Sequence, residues 1–105
     1  MDHQTVETFL LSLPNAKLEY PFGEEVAVYK VKDKMFALIQ EGSQPLRISL
    51  KCDPNLANIL RDKYETVMPG YHLNKKNWNT IILTGQLDWE EVQGLIRHSY
   101  QLVTS

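Results

Sequence analysis

The apolar residues of this chain change their spacing along the sequence, and this change restricts the fold more than any other feature. Near the N-terminus they recur every three or four residues, as in Val6, Phe9, Leu10 and Leu13, which predicts a helix over residues 5–13. Beyond Pro14 the spacing becomes two, which is typical of strands. A chain that alternates between these patterns predicts an α+β fold.

Three successive segments predict neighbouring antiparallel strands. The first two, residues 27–31 and 35–40, are separated by the polar turn Lys32, Asp33 and Lys34, as in a hairpin. In the third, residues 46–50, apolar and polar residues alternate, so one face of the strand is expected to be buried and the other to be exposed to solvent. The apolar residues 80–83 predict a last strand.

Two further helices are predicted from their start signals. Asp53 followed by Pro54 is a strong helix start, because the carboxylate accepts from free backbone N–H groups while proline loses no bond in the first turn. Asp88 with Glu91 resembles a capping box. The whole order predicts a single domain over residues 1–105, an antiparallel sheet of about five strands with helices packed on one face.

Composition excludes several functional classes. Thirteen acidic residues against eleven basic ones give a net charge of −2, which disfavours strong non-specific DNA binding unless the cations are clustered. Cys52 is the only cysteine and is expected to be a buried core residue. Since no signal peptide, membrane span, cofactor motif, metal-site spacing or catalytic triad is recognisable, we expect a cytoplasmic protein with no cofactor, no metal and no evident enzyme activity.

Four segments together resemble a known family. They are KMFALI at residues 34–39, LKCDP at 50–54, PGYHLNKKNWNT at 69–80 and HSYQLV at 98–103. In these segments, in their spacing and in LPNAKLEYPFG near the N-terminus, the chain resembles the MmcQ/YjbR family of small bacterial proteins. The resemblance implies a fold similar to that of CyaY and frataxin and a predicted double-wing mode of DNA binding, but no enzyme activity. An iron-handling role does not transfer, because the acidic residues form no dense ridge.

The aromatic and basic run at residues 69–78 is the expected binding surface. Lysines offer cations to phosphates, asparagines offer hydrogen bonds, and aromatic rings offer faces on which bases stack. Lys34 and Lys51 at strand ends, and Arg47 on the face opposite Ile48, could extend this surface or could be scattered solvent charges. The predicted nucleic-acid or ligand contacts are Lys34, Lys51, Tyr71, His72, Asn74, Lys75, Lys76 and Trp78.

Two other interpretations of the same run stay open. Tyr71 and Trp78 could pack against the sheet as anchors, with Lys75 and Lys76 only solvating the loop. Alternatively, residues 69–79 could form the wall of a cleft for a small molecule or for another protein, which the acidic net charge favours. The sequence predicts no oligomeric state.

Overall fold

The structure is a computed structural model that describes residues 2–105. Within this range it has three helices and six strands. Their bounds, in chain order, are α1 His3–Ser12, β1 Lys17–Glu19, β2 Val26–Val31, β3 Lys34–Gln40, β4 Arg47–Lys51, α2 Pro54–Lys63, β5 Val67–Pro69, β6 Trp78–Ile82 and α3 Trp89–Thr104.

All six strands form one sheet in the order β1-β2-β3-β4-β6-β5, and every neighbouring pair is antiparallel. The α+β prediction and the antiparallel arrangement are confirmed, with one strand more than expected. The strands that no segment predicted are β1 and β5, because three residues each are too few for an alternating pattern to show. The β2–β3 hairpin turns at Lys32 and Asp33, both with positive φ, as a two-residue hairpin loop requires.

α2 and α3 begin where the sequence predicts, and α1 begins two residues earlier than predicted, at His3. Asp2, Asp53 and Asp88 each cap a helix, and each side-chain carboxylate accepts from backbone N–H groups of the first turn. Pro54 occupies the first turn of α2 without losing a hydrogen bond.

The helices bury one face of the sheet. Ile48 and Ile81 from the central strands, Val6 and Leu10 from α1, and Ile96 from α3 belong to one continuous apolar core. The opposite face of the sheet has no helix over it, so it is the face on which side chains are open to a ligand.

Ser99 joins α3 to the middle of the sheet. An extra residue, Phe36, stands in β3 where the register shifts between Tyr29 and Lys30. The Ser99 hydroxyl donates to the Phe36 carbonyl at 2.5 Å and accepts from the Lys51 amide at 3.0 Å. One buried side chain thus satisfies two backbone groups that the ladder leaves free.

No helix within residues 2–105 is long and apolar enough to cross a bilayer. The cytoplasmic location stays a prediction.

Candidate functional site

The side chains of the open face can be assigned from strand alternation and register. Along each strand, the residues that alternate with those facing the helices point to the open face. Strand pairing aligns these residues in rows across the sheet. One row at the end of the sheet holds Lys17, Lys30, Met35, Lys51 and Trp78; the middle row holds Glu19, Val28, Leu38, Ser49, Thr80 and Met68; the third holds Val26, Gln40, Arg47 and Ile82.

Two connections border a cleft on this face. One, residues 20–25, joins β1 to β2 at one edge of the sheet, and the other, residues 70–77, joins β5 to β6 at the opposite edge. The cleft between them has a volume of about 280 Å³. Its lining residues are Phe22, Val26, Leu38, Gln40, Arg47, Ser49, Tyr71, His72, Leu73 and Thr80.

The 70–77 loop is fixed to the sheet at its start and at its end. The Gly70 amide donates to the Trp78 carbonyl at 2.8 Å, and the Tyr71 amide donates to Thr80 Oγ1 at 3.1 Å. At the other end, the Cys52 amide donates to the Asn77 carbonyl at 2.7 Å. These bonds hold the loop in one conformation, so the side chains that it carries are placed before any ligand arrives.

Arg61 of α2 holds the same loop from the helix side. Its Nε donates to Asn79 Oδ1 at 2.6 Å, and its Nη2 donates to the carbonyls of Lys75 and Trp78. Asn79 is buried, and its amide nitrogen donates in turn to the Ala57 carbonyl. Because a planar guanidinium can donate in several directions at once, Arg61 connects α2, β6 and the loop.

The two aromatic rings predicted to stack on a ligand lie in different environments. Trp78 is 7% exposed and packs on the open face with Val28 and Leu38, so its ring is not available for stacking. Tyr71 is 59% exposed, and its ring lies 4.0 Å, centroid to centroid, from that of His72. Tyr71 therefore meets the requirement for a stacking surface, while Trp78 fits the anchoring alternative.

The structure places the predicted polar contacts in different environments. Lys75 and Lys76 are exposed on the loop, and Lys51 lies directly opposite Trp78 on the open face. Asn74 has a local role, because its Oδ1 accepts from the Lys76 amide at 2.9 Å. Lys34 pairs with Val31, whose side chain is in the helix-side core, so alternation directs Lys34 away from the open face.

Cations predominate on the open face and the 70–77 loop, and acids predominate on the helix side. The open face and the 70–77 loop carry six cations and a single acid, Glu19, which pairs with Lys30 at 3.3 Å. The 20–25 connection on the other side of the cleft adds two exposed acids, Glu24 and Glu25. The helices with their caps carry seven acids and three cations. The six cations are Lys17, Lys30, Arg47, Lys51, Lys75 and Lys76, and the seven acids are Asp2, Glu7, Asp53, Asp62, Asp88, Glu90 and Glu91. Lys34 begins β3, and the remaining charges, Lys32, Glu24, Glu25, Asp33, Glu41 and Glu65, lie at turns and in connections.

The thiol, His3 and His98 take no part in this site, whereas His72 lines the cleft beside Tyr71. Cys52 is buried as expected. Its burial is the main cause, and the nearby Asp53 a smaller one, of a thiol pKa raised to about 11. A thiol with such a pKa is protonated near neutral pH and is a poor nucleophile. His98 Nε2 accepts from the Asp53 amide at 3.1 Å, which fixes it beside the start of α2. In the part of the chain that the structure describes, no cluster of His, Cys, Asp or Glu could hold a metal ion.

The family model described as YjbR matches residues 11–102 of this chain. The chain belongs to the YjbR family. The resemblance in the four segments is thereby confirmed over nearly the whole sequence. Its implied likeness to CyaY and its double-wing DNA binding stay predictions.

Relatives of the YjbR family agree with this assignment in sequence and in structure. The chain is 35% identical to the uncharacterized protein YbdF of Escherichia coli O157:H7 over 96% of its own length and 83% of that protein's. It is 33% identical to the uncharacterized protein YjbR of Escherichia coli K12, over 89% of this chain and 79% of that protein. The crystal structure of Deinococcus radiodurans protein DR2400, with a DUF419 domain, superposes with a TM-score of 0.93 at 39% identity, over 97% of this chain and 78% of that one. The crystal structure of a protein from Pseudomonas syringae superposes with a TM-score of 0.83 at 31% identity, over 97% of this chain and 98% of that one.

Sequence reasoning on this YjbR-family chain missed two contributors to the site. Phe22 lines the cleft and Arg61 holds the loop, yet neither was among the predicted residues. Arg47, which also lines the cleft, was predicted to face away from the core because it alternates with Ile48, and it was considered as an extension of the basic surface. Phe22 and Arg61 carried no such signal, since their partners are distant in sequence.

Proposed function

We propose that the open face of the sheet binds nucleic acid, with DNA as the expected ligand. The observation that carries this proposal is the separation of charge, because six of the eleven basic residues lie on this face and on the loop beside it. Phosphate contacts supply most of the affinity of such proteins, and they require clustered cations rather than a positive total charge. The net charge of −2 is therefore compatible with the proposal.

The acidic helices weaken binding only slightly, since they lie on the far side of the domain. The molecule measures 25 Å along its shortest axis. At physiological ionic strength the Debye length is about 8 Å, so charges on the two sides are largely screened from each other. A phosphate on the open face interacts mainly with the lysines nearest to it.

Removal of the two loop lysines tests the proposal. Lys75→Gln combined with Lys76→Gln should weaken binding of a labelled oligonucleotide and lower the slope of log K against log salt concentration by about 1.5, because two phosphate contacts are lost. Fluorescence anisotropy titrations between low and moderate salt would measure both quantities. Both side chains are exposed, so the melting temperature is expected to stay unchanged.

The matched control removes two cations from the helix side. Lys63→Gln combined with Arg97→Gln changes the net charge by the same amount, and both side chains are exposed on helices. This variant should keep the salt slope of the unmodified protein. The proposal fails if the unmodified protein binds neither single nor double strands, or if the two double variants lose affinity equally.

The cleft favours a second candidate, the binding of a small organic molecule. Its volume of about 280 Å³ is close to the lower end of known ligand sites, and most of its lining is apolar. A thermal-shift screen of small aromatic acids and heterocycles tests this candidate. A ligand present at about 100 times its Kd should add about 2.7 kcal/mol to the free energy of unfolding, and Tyr71→Ala should reduce that gain. A screen with no stabilising compound would count against this candidate.

A further inference from the structure

The cleft adds a small, largely apolar site to a face on which cations outnumber acids. Within it, Val26 and Leu38 form an apolar surface, and Phe22 and Tyr71 stand at its two sides. The inference drawn from it rests on the proposed function, because it concerns which form of nucleic acid the open face accepts.

The two aromatic side chains at the cleft are unusually exposed. Phe22 is 64% exposed and Tyr71 is 59% exposed. They come from connections at opposite edges of the sheet, and both border the same opening. Large exposed aromatic surfaces that face a shared cleft mark interaction sites, and each can pack against a flat ring that enters the cleft.

The polar groups of the cleft include several donors. The hydroxyl oxygens of Ser49 and Thr80 are 2.7 Å apart, and Thr80 Oγ1 also accepts from the Tyr71 amide. One hydroxyl hydrogen lies between the two oxygens, which leaves the other for an acceptor on a ligand. Arg47 and Gln40 add guanidinium and amide donors, and no ion pair within residues 2–105 engages Arg47.

A base that enters this cleft must first leave its stack. Bases in a duplex cover each other's faces, so side chains reach only their edges in the grooves. In a single strand, unstacked bases expose both faces and can stack on aromatic side chains. A volume of about 280 Å³ is at the small end of ligand sites and suits one ring system rather than a large ligand.

We infer that the cleft holds one unstacked base of a single strand, between Phe22 and Tyr71, while the phosphates of that strand follow Lys51, Lys75 and Lys76. Charge complementarity favours a nucleic-acid strand over an isolated apolar ligand, since the lysines continue beyond the cleft along the sheet and the loop. The aromatic groups then supply the preference for single strands, and the lysines supply the salt dependence.

Three labelled ligands of equal length test the inference by anisotropy: a single strand, the corresponding duplex, and a strand in which every base is replaced by an abasic site. The single strand should bind at least about 10-fold more tightly than either of the others, because only it offers accessible bases. The abasic strand should keep the same salt slope, since its phosphates are unchanged.

Truncation of the aromatic side chains provides the matched comparison. Phe22→Ala and Tyr71→Ala should each weaken single-strand binding about 10-fold and leave the salt slope unchanged. The control is Ile59→Ala, because Ile59 is 59% exposed on α2, on the other side of the domain. This variant should bind like the unmodified protein.

The outcomes separate the inference from the function on which it rests. If the abasic strand and the duplex bind as tightly as the single strand, the base site is overturned and the proposed nucleic-acid function stands. If none of the three ligands binds, both are overturned. If no strand binds but a small aromatic compound protects the protein in a Tyr71-dependent way, the cleft belongs to the second candidate and the inference is wrong.

Discussion

Replacement of Arg61 by methionine should lower the free energy of unfolding by about 2 to 4 kcal/mol, since hydrogen bonds of a charged group are lost and a buried acceptor is left free. The acceptor is Asn79 Oδ1, which receives the Arg61 Nε hydrogen at 2.6 Å. Methionine keeps most of the apolar stem, so the loss of unfolding free energy measures the contribution of the guanidinium group. Urea unfolding followed by circular dichroism would measure it.

Two control variants make this result specific. Arg97→Met removes an exposed guanidinium that lies 5.1 Å from the ring centre of Phe9, and should cost less than about 1 kcal/mol. Arg61→Lys should recover little stability, because an ammonium cannot reproduce the fork of donors to Asn79 and Trp78. Equal losses for Arg61→Met and Arg97→Met would contradict the assigned role of Arg61.

Replacement of Gly70 by alanine should destabilise the protein by about 2 to 3 kcal/mol, because there is no room for a side chain at this position. A Cβ at Gly70 would lie 2.7 Å from the Cβ of Trp78 and 3.2 Å from its carbonyl oxygen. Both are parts of the chain that cannot rotate away. Thermal unfolding would measure the loss, and amide exchange of Tyr71 and Leu73 should become faster as the loop loosens.

Gly94→Ala is the control and should change stability in the opposite direction. Gly94 lies within α3, and a Cβ there would meet no atom within 4 Å. Alanine should stabilise the helix by about 0.5 to 1 kcal/mol. If Gly70→Ala were as stable as the unmodified protein, the close approach of the loop to Trp78 would not be a requirement of the fold.

Much of the architecture could be predicted because its causes are local. Helix starts depend on residues a few positions apart, as at Asp53 and Pro54, and strand faces follow from alternation, as in residues 46–50. β1 and β5 were missed because three residues are too few for a period to show. The fold class was thus accessible from the sequence, and the full strand count was not.

The candidate binding surface could be predicted only in part, since burial depends on what packs above each residue. Tyr71 and Trp78 both looked like stacking residues, yet Trp78 is covered together with Leu73 on the open face. The lysines at 51, 75 and 76 were found because charge is visible in the sequence. Residues 69–79 were considered as the wall of a cleft, but the rest of its lining was not found, because Phe22, Leu38, Arg47 and Tyr71 meet only after four strands have paired.

The short edge strands have a consequence for how other molecules can approach this protein. β1 and β5 are three residues long, Lys17 lies on the first, and Pro69 in the second has no amide hydrogen. Such edges offer few free backbone groups for strand addition by another chain, which limits aggregation through the sheet. A partner must therefore obtain its affinity from side chains, and the broad face between the two edges is where they are presented.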